Sequence, residues 1–174
     1  MKVLAFAASS SRQSINKQLA QYTANQIENA DVELLDLNDF EMPIYSSDRE
    51  NESGIPEQAQ TFFKKIGEAD AIVISFAEHN GSYPAAYKNL FDWATRIERN
   101  VFQNKPAVYL ATSPGPGGAQ TVLAAATGSA PYFGAEVKAS QSIPSFYDNF
   151  DLEAGKFRNA ELADQVKAAV ATLN

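Results

Sequence analysis

Val3 to Ala8 is a continuous apolar run that breaks into Ser9, Ser10, Ser11 and Arg12, the pattern of a buried strand opening into a polar loop. From Ser14 to Ala30, Ile15, Leu19, Tyr22 and Ile27 recur at broadly helical spacing, and Ser14 stands where an N-cap belongs. Val32–Leu37 reads as a second strand. Pro43, Gly54 and Pro56 among polar residues then mark Asn38–Pro56 as a long loop. A helix over Glu57–Glu68 leads into a third strand, Ala71–Ile74, and Pro84 fits the first turn of the next helix, which runs to Arg99. Lys105-Pro106 introduces a fourth strand, Ala107–Ala111, and the Ala-rich stretch Ala119–Ala126 forms another helix. Glu136–Ala139 is a weaker fifth strand. At the end, Leu162, Val166, Ala169, Val170 and Leu173 share one stripe of a closing helix over Asn159–Leu173.

Short apolar strands alternating with helices indicate a parallel sheet covered on both faces. Five such units predict a flavodoxin-like α/β fold, a doubly wound five-stranded parallel sheet with helices on both faces. The 174 residues fit a single domain, at about 100–200 residues per domain, and no linker or internal repeat divides residues 1–174. In such sheets ligands bind beyond the carboxyl ends of the strands, at the topological switch point. Three loops leave those ends: Ser9–Ser14, Phe76–Pro84 and Ser113–Gly118.

Composition narrows the chemistry. The net charge of −7 argues against a nucleic-acid partner. With no cysteine and a single histidine, His79, thiolate nucleophiles and multi-histidine metal sites are excluded. Val3–Ala8 is far shorter than the roughly 20 apolar residues of a membrane span. It is also short for a signal-peptide core, although Ala5-Phe6-Ala7 has the small residues of a cleavage site. The expectation is a cytoplasmic protein without a membrane partner.

The first loop lacks the Gly-rich fingerprints of dinucleotide and nucleoside triphosphate sites. It offers Ser10, Ser11 and Ser14, free amides at a helix start, and Arg12, a donor set suited to a terminal phosphate; the same serines also suit simple helix capping. In the second loop Asn80-Gly81 is a strong turn signal that can aim backbone groups at a ligand edge or merely join strand to helix. Alone, His79 reads as a surface or packing residue and Glu78 as a solvated carboxylate. The third loop, Ser113-Pro-Gly-Pro-Gly-Gly118, combines close backbone approach with stiffness, suited to lying against a planar ring or to a tight connection. Together the three outline a mononucleotide site, best matched by flavin mononucleotide (FMN).

At these loops the sequence resembles the NADPH-dependent FMN reductases, a flavodoxin-like family that includes quinone, azo-dye and chromate reductases. Ser10-Ser11-Arg12-Gln13-Ser14-Ile15-Asn16-Lys17-Gln18-Leu19-Ala20 follows the first motif, with Ser9 where the family has glycine. Glu78-His79-Asn80-Gly81-Ser82-Tyr83-Pro84 and Lys88-Asn89-Leu90-Phe91-Asp92-Trp93 follow the second, with Ala77 and His79 replacing the family's proline and tyrosine. Ser113–Gly118 is a looser third match, and Phe150–Lys156 resembles the family's approach to its last helix. The resemblance implies bound FMN, with Ser10, Arg12, Ser14, Asn16 and the Ile15 backbone at the phosphate and ribityl end. Ala77, Glu78, His79 and Asn80 would line the ring, and Ser113 and Gly115 its other edge. It implies hydride transfer from NADPH or NADH through FMN to a quinone-like or other small acceptor by ping-pong kinetics. That chemistry is the cofactor's, so no catalytic side chain is assigned.

The helix after Pro84 carries Ala86, Tyr87, Leu90, Phe91, Trp93, Ala94 and Ile97. At 100° per residue they span an arc of about 160°, wider than a core-facing stripe needs. A second subunit or neighbouring loops would cover the excess, and the family resemblance favours a homodimer or homotetramer. The rival function is a flavodoxin-like electron carrier, which also binds FMN and has an acidic surface. Flavodoxins, however, resemble Thr/Ser-Gly-x-Thr-Gly at the first loop, where this chain has Arg12 and Asn16.

Overall fold

The computed structural model describes residues 1–173. In chain order the elements are β1 (Lys2–Ala8), α1 (Ile15–Ala24), β2 (Asp31–Leu35), α2 (Ser47–Ser53), α3 (Glu57–Glu68), β3 (Ala71–Phe76), α4 (Ala85–Ile97), β4 (Lys105–Thr112), α5 (Gln120–Ser129) and β5 (Ala135–Ile143). The single turn α6 (Phe146–Asn149), the short hairpin β6 (Phe150–Asp151) and β7 (Lys156–Phe157), and α7 (Ala160–Ala171) complete the chain. The five long strands are parallel, in the order β2-β1-β3-β4-β5. This is the flavodoxin-like arrangement the pattern predicts.

The central strands are predominantly apolar because both their faces are covered. Leu4, Phe6, Ile72, Ile74 and Tyr109 pack under α3, α4 and α5. Val3, Ala5, Val73, Val108 and Leu110 pack under α1 and α7. No helix among the described residues is long and apolar enough to cross a membrane.

Several boundaries differ from the expected ones. Helix α1 ends at Ala24, not Ala30, because Gln26 and Ile27 bond back to Thr23 and Ala24 in tight turns that lead to the edge strand β2. The expected loop Asn38–Pro56 contains α2, a helix with no buried residue, capped by Ser46. Strand β5 is longer than expected. As an edge strand it alternates polar and apolar residues, and its register slips opposite Ala107 and Val108, where Lys138 is left over.

Candidate cofactor site

The register sets Ala8 of β1 beside Phe76 of β3, and Phe76 beside Ala111 of β4. Ser9, Ala77 and Thr112 therefore stand at one height where the chain leaves the sheet for the three loops, on strands about 4.8 Å apart. Between β1 and β3 lies the switch point, since β2 and β3 flank β1 on opposite sides.

In the first loop Ser9 Oγ accepts from the Ser11 amide at 3.2 Å, and the Ser14 side chain caps α1 by accepting from the Lys17 amide at 3.1 Å. The capping reading of Ser14 is thus realised, and its hydroxyl proton remains free to donate. Among the described residues the amides of Arg12, Ser14, Ile15 and Asn16 donate to no protein acceptor. Among the described residues the exposed Ser10 and Arg12 side chains are also uncommitted, and Arg12 forms no ion pair with any of them. The nearest alternative cation in sequence, Lys17, is held by Asp36.

Asn16 turns inward and is 3% exposed. Its Oδ1 accepts from Ser75 Oγ at 2.7 Å and from the Thr112 amide at 3.1 Å, while Nδ2 donates to the Thr112 carbonyl at 3.2 Å. One side chain thereby ties the start of α1 to the ends of β3 and β4.

In the second loop Ala77 is 9% exposed, and His79 and Ser82 exchange backbone hydrogen bonds at 2.9 and 3.1 Å. Asn80 and Gly81 between them have φ of 54° and 76°. These are the two positive-φ positions of a type I′ turn, which Asn-Gly adopts readily. His79 and Asn80 face solvent. The half-buried Glu78 instead reaches past the third loop to the start of α5, where its carboxylate accepts from the Val122 amide at 2.8 Å.

The third loop is clipped to α6. Ser113 Oγ donates to the Gly115 carbonyl at 3.1 Å, and that carbonyl also accepts from the Ser145 amide at 2.9 Å. A Cβ at Gly115 or Gly117 would meet nothing within 4 Å, so this backbone borders open space. Gly118 is required by packing: at φ +59° an added Cβ would lie 2.3 Å from Ser142 Oγ.

Two residues outside the predicted site set shape its rim. Asn89 of α4 donates to the carbonyls of Met42 and Pro43 and accepts from the Tyr45 amide, and Trp93 Nε1 donates to the Pro43 carbonyl at 2.8 Å. They fasten the segment after β2 to α4. Their spacing of one helical turn, in a stretch already matching a motif, was the available signal. The held segment encloses a cavity of about 280 Å³ bordered by Ser10, Met42, Ile44, Ala85, Ala86 and Asn89.

A second, larger groove of about 570 Å³ lies between α4 and α5, away from the first loop. Phe76, Tyr83, Tyr87, Phe91, Tyr109 and Phe133 line it. Burial pushes the Tyr87 and Tyr109 phenols well up from their usual range, so both remain neutral hydroxyls.

The sequence matches the NADPH-dependent FMN reductase family over residues 1–146. It is 34% identical over 117 residues to the 2-hydroxy-1,4-benzoquinone reductase of a Burkholderia species, covering 66% of this chain and 62% of that one. It is 33% identical over 99 residues to the NADPH:quinone oxidoreductase of Arabidopsis thaliana, covering 57% of this chain and 49% of that one. Both curated quinone reductases are thus matched over less than two thirds of their length. Among solved structures, the flavoenzyme NAD(P)H:(acceptor) oxidoreductase FerB of Paracoccus denitrificans is similar over 99% of this chain and 94% of that one, with a TM-score of 0.77 and 26% identity. The chain belongs to the NADPH-dependent FMN reductase family, flavodoxin-like oxidoreductases that use FMN and NAD(P)H.

Proposed function

We propose that this protein is an NAD(P)H oxidoreductase that holds FMN across the three loops and passes reducing equivalents to a small quinone-like acceptor by ping-pong kinetics. The carrying observation is the donor set of the first loop: the amides of Arg12, Ser14, Ile15 and Asn16, the Ser10 hydroxyl and the Arg12 guanidinium, all without a partner among the described residues. That set fits a phosphate monoester, which needs several N–H and O–H donors and one compensating charge. The open backbone at Gly115 and Gly117 fits a flat ring approaching without a side chain in the way.

FMN, when bound, supplies the capacity to take a hydride from NAD(P)H and yield it to an acceptor. The chain's work is positional. Arg12, Ser10 and the α1 amides hold the phosphate, Ala77–Asn80 and Ser113–Gly115 border the ring, and Asn16 keeps these loops in register. The cavity beside Ser10 bears on the acceptor: its walls include Met42, Ala85, Ala86 and Ile44, which is 64% exposed. A small, flat, largely apolar molecule suits such walls. Nicotinamide and acceptor then use one opening in turn, in the cytoplasm where NAD(P)H is available.

This reading includes a homodimer or homotetramer in which a second copy covers the α4–α5 face. Residues 106–135 contain no Asp, Glu, Lys or Arg, although 20% of the chain is charged. On α5 this leaves Thr121, Ala124, Ala125 and Gly128 exposed beside the aromatic groove, with Tyr132 66% exposed below it. Light scattering should give at least twice the chain mass, and Ala125→Glu should reduce it; a monomeric wild type refutes this assembly.

The test of function is direct. The purified protein should bind FMN, oxidise NADPH or NADH, and give parallel double-reciprocal plots with a benzoquinone as second substrate. A protein that neither takes up FMN nor oxidises either nucleotide in its presence overturns the proposal.

A further inference from the structure

Helix α5 begins without a cap of its own. Its cap position is Ala119, at φ 57°, which has no side-chain acceptor to offer the first amides. Such a helix start carries unmet N–H groups and a partial positive charge. The acceptor comes from elsewhere in the chain: Glu78, 44 positions earlier, reaches the Val122 amide at 2.8 Å. Val122 is the third residue of α5, the position an N-cap side chain ordinarily serves.

We infer that Glu78 is a positioning residue, whose carboxylate caps α5 from the neighbouring loop and so fixes the spacing between the second and third loops. The inference rests on the reading of those two loops as the borders of the FMN ring, and it gives Glu78 a role distinct from contact with the ring. Two consequences follow. Geometrically, the Ala77–Asn80 segment cannot move away from Gly115–Gly118 without breaking a charge-assisted bond. Electrostatically, a full negative charge stands between the loops, opposed by the start of α5. It disfavours the negative charge that reduction adds to a nearby flavin.

Two variants separate geometry from charge. Glu78→Gln keeps a carbonyl oxygen to accept from Val122 and removes the charge, whereas Glu78→Ala removes both. Hydrogen exchange of the FMN-free protein reads the cap alone: in Glu78→Ala the amides of residues 120–123 should exchange about tenfold faster, and in Glu78→Gln they should stay near the wild-type rate. FMN titration should show affinity at least about tenfold weaker for Glu78→Ala and largely restored in Glu78→Gln. The midpoint potential of bound FMN should rise in Glu78→Gln, because the repelling charge is gone. Wild-type exchange and wild-type FMN affinity in Glu78→Ala overturn the inference. So does a Glu78→Gln protein with protected α5 amides that binds FMN as poorly as Glu78→Ala, since the carboxylate would then contact the cofactor itself. If the wild type takes up no FMN, the functional reading fails, while the exchange experiment still decides whether Glu78 caps α5.

Discussion

Replacing Asn16 by alanine should destabilise the protein through its frame. The change deletes hydrogen bonds to Ser75 Oγ, the Thr112 amide and the Thr112 carbonyl, at a site where Asn16 is 3% exposed and Ser75 fully buried. The three orphaned groups cannot all reach water. At about 1–3 kcal/mol for each buried group left unsatisfied, with partial relaxation and alanine's better helix propensity set against it, the net loss is about 3–5 kcal/mol. For a domain of this size each kcal/mol moves Tm by about 2–4 °C, so thermal unfolding should shift down by about 6–20 °C. Asn16→Asp should not rescue it. It keeps the acceptor for Ser75 and Thr112 but turns a second oxygen on the Thr112 carbonyl and buries a charge. Circular dichroism melts of the FMN-free protein measure the effect without assuming a ligand. An Asn16→Ala variant melting within about 2 °C of wild type would refute the account of Asn16 as the tie between α1, β3 and β4.

Arg12→Ala should weaken FMN binding at least about tenfold, as expected for a lost charge-assisted contact, while leaving Tm unchanged because Arg12 is exposed and has no ion-pair partner among the described residues; unchanged affinity in a fluorescence titration would place the phosphate elsewhere. Gly118→Ala and Gly115→Ala should part company. The first meets Ser142 Oγ at 2.3 Å in a left-handed conformation and should lose about 1–3 kcal/mol in urea unfolding, while the second meets nothing and should lose only FMN affinity. The Asp36 carboxyl is drawn from 3.8 down to about 2, first by the Lys17 hydrogen bond and then by the Asn38 amide. Because the folded value lies below the unfolded one, its stabilisation is complete above about pH 4 and disappears as pH falls through 2. With about a third of both side chains exposed, the pair is worth only about 0.5–1 kcal/mol. Lys17→Gln should raise the Asp36 titration midpoint in a carboxyl-carbon NMR experiment, and an unmoved midpoint would refute the pairing.

The layered fold was legible because its central strands are apolar on both faces. Val3–Ala8, Ala71–Ile74 and Ala107–Ala111 are unbroken apolar runs with no amphipathic alternative, and the loops after the second and third of them carry turn and glycine signals. The misjudged elements lie where burial does not write a pattern. Helix α2 buries nothing, so Ser47–Ser53 has no apolar period to detect. Strand β5 sits at an edge with a slipped register, which reduced its readable part to Glu136–Ala139. The end of α1 is set by tertiary geometry, since the chain must turn at Asn29, at φ 56°, to enter β2.

The motif residues divide in a way that sequence could not reveal, because a motif marks a position without saying which way its side chain faces. Ser10 and Arg12 leave the fold and are free to meet a ligand. Asn16, Glu78, Asn89 and Trp93 turn back into it, each bonding a strand end, loop or helix start distant in sequence. The two classes should fail differently. Loss of an outward residue lowers affinity at constant stability, because nothing in the fold depends on it. Loss of an inward residue should lower both, because the loops it fastens are the walls of the proposed site. The chain concentrates few charges at this site yet spends four polar side chains on holding its backbone. That fits recognition dominated by positioned amides, since a chain with net charge −7 supplies no general positive field to attract a phosphate. An amide donor works only where its loop is held.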